Sequence, residues 1–435
     1  MSHRTFHRHL LTTLSLMLIG TLLTACGSGS GSADGVTRLT MWTFLDPKGD
    51  DPRGAALAKI VEGFNAANPK VRVEVTGINF AKIDGEVIRA AATGGGPDIV
   101  NVYSVQLAQH VAAGSVQPIT TRVQPWLDKQ GEEYVFPIDN VTYDKEIMAL
   151  PWESRVWLLW YRKDILSEYG FEPPTTLAEL SSVAAGISEK SGGKVAGIGI
   201  GMSEQGLGAD FMEKFQPLTA HYGGTLFDST GRAVFDDAAG QKALSYIKSL
   251  GENGALPRSS LTMSADDVVN SVKAGTVAMA IEGSYRVAST RAGEGVGENL
   301  VTAPVPGDPA GETTPTAVAG QTLAMGANTE HPDDVWRFME YYLSASSQEI
   351  FAGAGVMPVL KSAYAKAPAT GSVPAEELGR WRDYLLKDGR ASRYPEDYSE
   401  LSTEAVKAAQ KVVFEGGDVA SALQQVAKNY NANRN

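Results

Sequence analysis

Cysteine is almost missing from this sequence. Of its 435 residues only Cys26 is one, so no intramolecular disulfide can brace the fold. Histidine is scarce as well: beyond residue 25 only His110, His221 and His331 remain, far apart and with no Cys or Glu at ligand spacing, so no metal and no other cofactor is expected. Positive charge is in short supply, with 38 Lys and Arg against 50 Asp and Glu and a net charge of -12, which disfavours nucleic acid as a partner. No long apolar run is present; the most apolar stretch, Leu10 to Leu23, is broken by Thr and too short to span a bilayer.

Catalytic signatures are lacking too. No Gly-x-Ser-x-Gly elbow occurs, and the one cysteine has no nucleophile partners. The glycines of "TGGGPDIV" (Thr93 to Val100) close a helix and precede a strand, the reverse of a phosphate loop, and no Lys-Ser/Thr follows them. They fit a left-handed helix cap and a tight turn. Adjacent acids such as Glu132-Glu133 and Asp236-Asp237 do not aim two carboxylates across one glycosidic bond. "DPKGDDPRG" lacks the alternating ligands of a calcium loop and reads as a turn. No enzyme is expected.

What is present starts with "MSHRTFHRHLLTTLSLMLIGTLLTAC", a basic start, an apolar centre and small residues, which is the layout of a secretory signal over residues 1–25. "LTAC" (Leu23 to Cys26) resembles the bacterial lipobox, whose cysteine is lipidated and becomes the first residue of the mature protein. Residues 26–35, Gly/Ser-rich, form a flexible tether after that anchor. Without residues 1–25 the chain has 36 basic and 50 acidic residues, a net -14. About 400 residues exceed one ordinary core, so two lobes are expected. From Val36 the apolar pattern reads strand ("VTRLTMWTF"), helix (Ala55 to Pro69), strand ("KVRVEVTGI"), helix ("AKIDGEVIRAAAT"), strand ("PDIVNVY"), the alternation of an α/β lobe. It returns at Leu177 to Gly192, "KVAGIGIG", Ala238 to Asn253 and Ala265 to Val287, enough for a second such lobe.

Between the two stands "ALPWESRVWLLWYRKDIL" (Ala149 to Leu166), with three of the seven tryptophans. As a strand, "RVWLLWY" puts Trp157, Leu159 and Tyr161 on one face and Val156, Leu158 and Trp160 on the other, both apolar, as in a strand buried between layers. "PWESR" comes before it and is free to take another role.

These landmarks, "LTMWTF", "IVEGFNAANPKVRVEV", "AAATGGGPDIV", "ALPWESRVWLLWYRKDIL" with "PPTTLAEL", "VKAGTVAMAIEGSYRV", "TAPVPG" and "GQTLAMG", stand in the order seen in the extracellular solute-binding proteins of ATP-driven importers, the family that includes maltose-binding protein. The resemblance covers the chain after Gly35. It implies a two-lobed α/β fold of the periplasmic-binding-protein type (class II), each lobe a mainly parallel sheet flanked by helices and joined by hinge segments. It puts lobe one at 36–152 with 305–358 and lobe two at 153–304 with 359–435. It further implies a sugar or oligosaccharide ligand in the cleft, delivery to the transmembrane permease by hinge closure, attachment to the membrane through the lipid anchor only, at the outer face of the cytoplasmic membrane, and action as a monomer. Carried over by motif, the ligand-binding residues are Trp42, Thr43, Asp46, Tyr103, Ser104, Trp152, Glu153, Arg155, Tyr285, Arg286, Gly320, Gln321 and Arg393. Tyr285 stands where many relatives have the Trp of a Gly-Pro-Trp segment. The same fold around a non-sugar solute, acidic, phosphorylated or a polyamine, is the alternative, and a secreted carbohydrate-processing enzyme is a further one.

Overall fold

The computed structural model describes residues 35–205, 208–367, 372–432 and 434; the expected signal segment, Cys26 and the tether up to residue 34 lie outside the described residues. The first alternation forms as the pattern predicts: strand Thr37–Thr43, helix Pro52–Ala67, strand Val71–Gly77, helix Phe80–Ala92 and strand Ile99–Tyr103. Asp51 starts the first helix by accepting from the Arg53 amide, with Pro52 in the first turn, and Leu57, Ile60, Val61 and Phe64 form its buried stripe. The second helix ends before Gly94 and Gly96, whose φ of 79° and 104° few other residues adopt.

Two sheets result. The first runs in the order Val71–Gly77, Thr37–Thr43, Ile99–Tyr103, Gln321–Gly326, Val116–Gln117, with Leu150–Pro151 also paired to Gln321–Gly326. The second runs Leu300–Pro304, Trp157–Arg162, Val277–Gly283, Ala196–Gly199. Each sheet is layered with helices, as expected for two α/β lobes. Strand direction differs from the mainly parallel expectation: Thr37–Thr43 is parallel to both its neighbours and Val277–Gly283 to Ala196–Gly199, but every other pairing within the two sheets is antiparallel. The reason is connectivity. Strands joined by a helical crossover run parallel, whereas Leu150–Pro151, Trp157–Arg162, Leu300–Pro304 and Gln321–Gly326 lie where the chain passes from one sheet to the other.

The passage itself is a narrow braid. After Pro151, Ser154 bridges Met357 and Arg155 bridges Ala319, before Trp157 joins the second sheet. On the return, Thr316–Ala317 pairs with Gly389–Arg390 ahead of Gln321. The two faces of Trp157–Arg162 behave as the alternation predicts. Trp157 and Leu159 pack with Met279, Ile281 and the helices Leu177–Lys190 and Ala209–His221, while Leu158 and Trp160 pack with Ala280 and the helices Ala265–Ala274 and Ala375–Asp388. Helices Tyr398–Glu415 and Val419–Ala432 complete the first of these layers. Among the described residues no helix is long and apolar enough to cross a membrane.

Candidate functional site

The strands Thr37–Thr43, Ile99–Tyr103 and Val277–Gly283 end on the cleft between the sheets, where open α/β sheets hold ligands. The residues just past those ends form a closed circuit of contacts. Phe44 meets Phe80 edge-on with centroids 5.6 Å apart, and Phe80 meets Tyr103 at 6.2 Å. The Arg155 guanidinium lies 5.1 Å from the Tyr103 ring centre and 3.9 Å from that of Tyr285, and Arg53 closes the circuit at 5.2 Å from Tyr285 and 5.5 Å from Phe44. The members come from both sheets and from the passage between them. Phe80 remains 42% exposed although large and apolar, so the collar keeps a free ring face. Tyr285 lies back against Gly283, where a β-carbon would come within 2.7 Å of its Cδ1.

Beneath the collar lies an ionic floor. Gly201 N–H holds Asp210 at 2.7 Å, Asp210 pairs with the fully buried Lys214, and Lys214 Nζ also reaches Glu282 Oε1 at 3.4 Å. Glu213 accepts from Trp157 Nε1 at 2.9 Å and from Tyr103 Oη at 3.4 Å, so one carboxylate takes donors from both sheets. Burial pushes the Glu213 carboxyl up, against the pull of Lys214. Glu282 is pushed up to about 8, by burial first, with Asp210 and Glu213 adding and Lys214 and Arg286 opposing. Burial works against the Lys214 charge, but Asp210, Glu282 and Glu213 outweigh it and hold the ammonium protonated. This set offers ring faces, guanidinium donors and carboxylate acceptors to a solute between the sheets. It contains no nucleophile with an adjacent base.

A family profile described as bacterial extracellular solute-binding protein matches residues 48–349. The chain belongs to the bacterial extracellular solute-binding proteins. Among curated relatives of this solute-binding protein, a probable ABC transporter-binding protein of Deinococcus radiodurans is 27% identical over 244 residues, 54% of this chain and 57% of that one, so the match spans little more than half of its length. The sn-glycerol-3-phosphate-binding periplasmic protein UgpB of Escherichia coli K12 is 22% identical over 351 residues, 77% of each chain. Of solved structures, maltose-bound MalE3 of T. maritima superposes with a TM-score of 0.77 at 20% identity, covering 91% of this chain and 100% of that one. A solute-binding protein of Thermotoga lettingae bound with α-D-tagatose gives 0.78 at 20% identity, covering 91% and 99%. These likenesses show the two-lobed fold.

Of the residues carried over by motif, Tyr103, Arg155, Tyr285 and Arg286 come together in this solute-binding protein. Glu153 stands behind Arg155, fully buried, and accepts from its Nε. Arg286 donates from Nε to Tyr285 Oη at 3.0 Å and from Nη1 to Asp266 at 2.6 Å. The others are described by different contacts. Trp42 is half-buried on the lobe-one core, and its neighbour Thr43, turned to the opposite face by the strand alternation, is fully buried and accepts from Asn101 Nδ2 at 3.0 Å. Asp46 is exposed and accepts from the Lys48 amide at 2.9 Å, a turn device. Trp152 is wholly buried against Phe351 and Tyr342, with centroids 4.4 and 5.4 Å away. Ser104 Oγ accepts from Gly320 N–H at 3.2 Å, and Gly320 is a close crossing of two backbones. Gln321 is buried in the first sheet with both amide atoms unpaired among the described residues. Arg393 is exposed, donates to the Thr142 carbonyl at 2.9 Å and stands 5.5 Å from the Tyr143 ring centre. Phe44, Arg53, Phe80 and Glu213 join this cluster of contacts and were not expected in it.

Proposed function

We propose that this protein is the extracellular receptor of an ATP-driven importer, capturing a sugar or oligosaccharide between its lobes and presenting it, closed, to the transmembrane permease. One observation carries the reading: the collar of Phe44, Phe80, Tyr103, Arg155, Tyr285 and Arg53, which draws on both sheets and on the hinge between them. Sugar rings offer CH-bearing faces to aromatic rings and hydroxyl edges to charged groups, and the collar with Glu213 supplies both. The ligands named for the tagatose- and maltose-bound neighbours agree with this chemistry. We assign ligand contact to Tyr103, Arg155, Tyr285 and Arg286 with Phe44, Phe80, Arg53 and Glu213.

We read lobe one as 36–152 with 305–358 and lobe two as 153–304 with 359–435; sheet membership supports the division up to residue 326. Lipidation of Cys26 and anchoring at the outer membrane face rest on the lipobox-like "LTAC" and on the lack of any other use for a single cysteine. A second reading, a solute that is acidic rather than a neutral sugar, is favoured by the relatives described as binding sn-glycerol-3-phosphate. A thermal-shift screen of mono- to tetrasaccharides and their acid derivatives tests the receptor reading, since a ligand that binds only the folded chain raises its melting temperature. Stabilisation by members of that panel without turnover is expected; stabilisation by none overturns the reading.

A further inference from the structure

Three guanidinium groups crowd one ring. Arg155, Arg53 and Arg286 stand 3.9, 5.2 and 5.2 Å from the centre of Tyr285. A ring face attracts a cation, but three like charges beside one ring repel each other, so their purpose lies in the donors they present. Arg53 spends Nε and Nη2 on Asp51, at 3.1 and 2.6 Å, and its Nη1 is buried with no acceptor among the described residues. Arg155 spends Nε on Glu153; its side chain is only 4% exposed, and its terminal nitrogens bond to no acceptor among the described residues. A buried charged donor without an acceptor, as Arg53 Nη1 is, is costly, and the open terminal nitrogens of Arg155 stand beside the same ring.

We propose that the solute carries an oxyanion group, carboxylate or phosphate, received beside Tyr285 by the free edges of Arg53 and Arg155, with Arg286 on the third side. The inference rests on the receptor reading and sharpens its ligand class: a hydroxylated body against Phe44, Phe80 and Tyr103, and an acid group at the arginine corner. Planar guanidinium forks match carboxylate and phosphate oxygens in a way a lone hydroxyl does not. The surrounding charge agrees. The carboxylates that pair with Arg53 and Arg286, Asp51 and Asp266, are 36% and 81% exposed and are screened by water, whereas the two arginine side chains are 13% and 18% exposed. Of the buried acids nearby, Glu153 is committed to Arg155 Nε, and Glu213 and Glu282 are shifted toward their neutral forms. Arg53 follows the first strand, Arg286 the strand Val277–Gly283 of the second sheet and Arg155 lies on the hinge, so an anion held by all three draws the lobes together.

The test is calorimetry with matched pairs that differ only in the acid group: glucose against glucuronate, glucose against glucose 6-phosphate, and glycerol against glycerol 3-phosphate. The acid member of at least one pair should bind about tenfold more tightly or better, and the uronate and phosphate arms tell which oxyanion is favoured. Arg53→Gln should weaken the acid member about tenfold more than the neutral member, and raised salt should weaken only the acid member. Equal binding within every pair, or an equal loss for both members in Arg53→Gln, overturns the inference and leaves the receptor reading standing. Absence of binding by every compound of these pairs and by every member of the thermal-shift panel overturns both.

Discussion

Gly320 tests whether the "AGQTLAM" segment serves the ligand or the hinge. A β-carbon at this position would overlap the carbonyl oxygen of Glu153 and lie 2.9 Å from its carbonyl carbon and 3.2 Å from Phe136 Cε2. The first obstacle is backbone, which cannot turn aside as a side chain can. Relieving it in Gly320→Ala means parting the strands that hold the hinge, and four bonds span that contact: Ser104 N–H to Gly320 O at 3.0 Å, Gly320 N–H to Ser104 Oγ at 3.2 Å, Trp152 N–H to Gln321 O at 3.0 Å and Arg155 N–H to Ala319 O at 2.9 Å. Overpacking costs about 1–3 kcal/mol, and each weakened bond adds roughly 1 kcal/mol. A loss of about 3–5 kcal/mol is expected, which in a chain of this size lowers the melting temperature by roughly 4–6 °C. Urea unfolding should show a lower midpoint with an unchanged slope. A purely ligand-facing Gly320 gives the opposite result, intact stability with lost affinity, and that result would refute the packing argument.

Three further perturbations separate the site from its surroundings. Gly283→Ala meets the Tyr285 ring, a side chain that can swing away, so ligand affinity should fall while the melting temperature changes little; retained affinity in calorimetry counts against Tyr285 as a contact. Glu282 has a folded value of about 8 against an ordinary 4.5, so its contribution is full below about pH 4.5 and is lost as pH rises through 8. The melting temperature should therefore fall from pH 5 to 8.5, and Glu282→Gln, permanently neutral, should flatten part of that fall; parallel curves for the two proteins would exclude the assignment. Arg393→Ala removes an exposed contact to Thr142 and Tyr143, so stability should shift by less than about 0.5 kcal/mol and affinity should hold, whereas a tenfold loss of affinity would restore Arg393 to the ligand set.

Where a residue's place follows from strand alternation and strand ends, it was readable in the chain. Tyr103, Tyr285 and Arg286 follow strands whose apolar pattern is plain, and Trp157 and Trp160 fall on opposite faces as the two-residue period requires. Strand direction was not readable, because it depends on which sheet a passing strand joins and not on its own residues. Arg53 and Phe44 lie in or beside a Gly/Pro/Asp stretch whose turn signals hid them. Glu213 lies on helix Ala209–His221, where Pro217 argues against a helix; the spacing of Phe211, Phe215 and Leu218 was the contrary sign, and Lys214 beside that apolar stripe was the clue to a buried ion pair. Trp152, Gly320 and Gln321 share the hinge motif with Arg155, and only three-dimensional packing decides which of them faces the cleft.

The middle of the first sheet is made late. Gln321–Gly326 separates Ile99–Tyr103 from Val116–Gln117, and the bond from Gly320 to Ser104 joins residues 216 positions apart. As the chain is synthesised, its first three strands have no partner for the open edge at Ile99–Tyr103 until the hinge has been crossed and recrossed. An edge without a strand partner is a place where incomplete chains are prone to associate. A fragment that ends before residue 321 therefore lacks the strand that completes the first sheet, and the first lobe is finished only by chain that lies beyond the second.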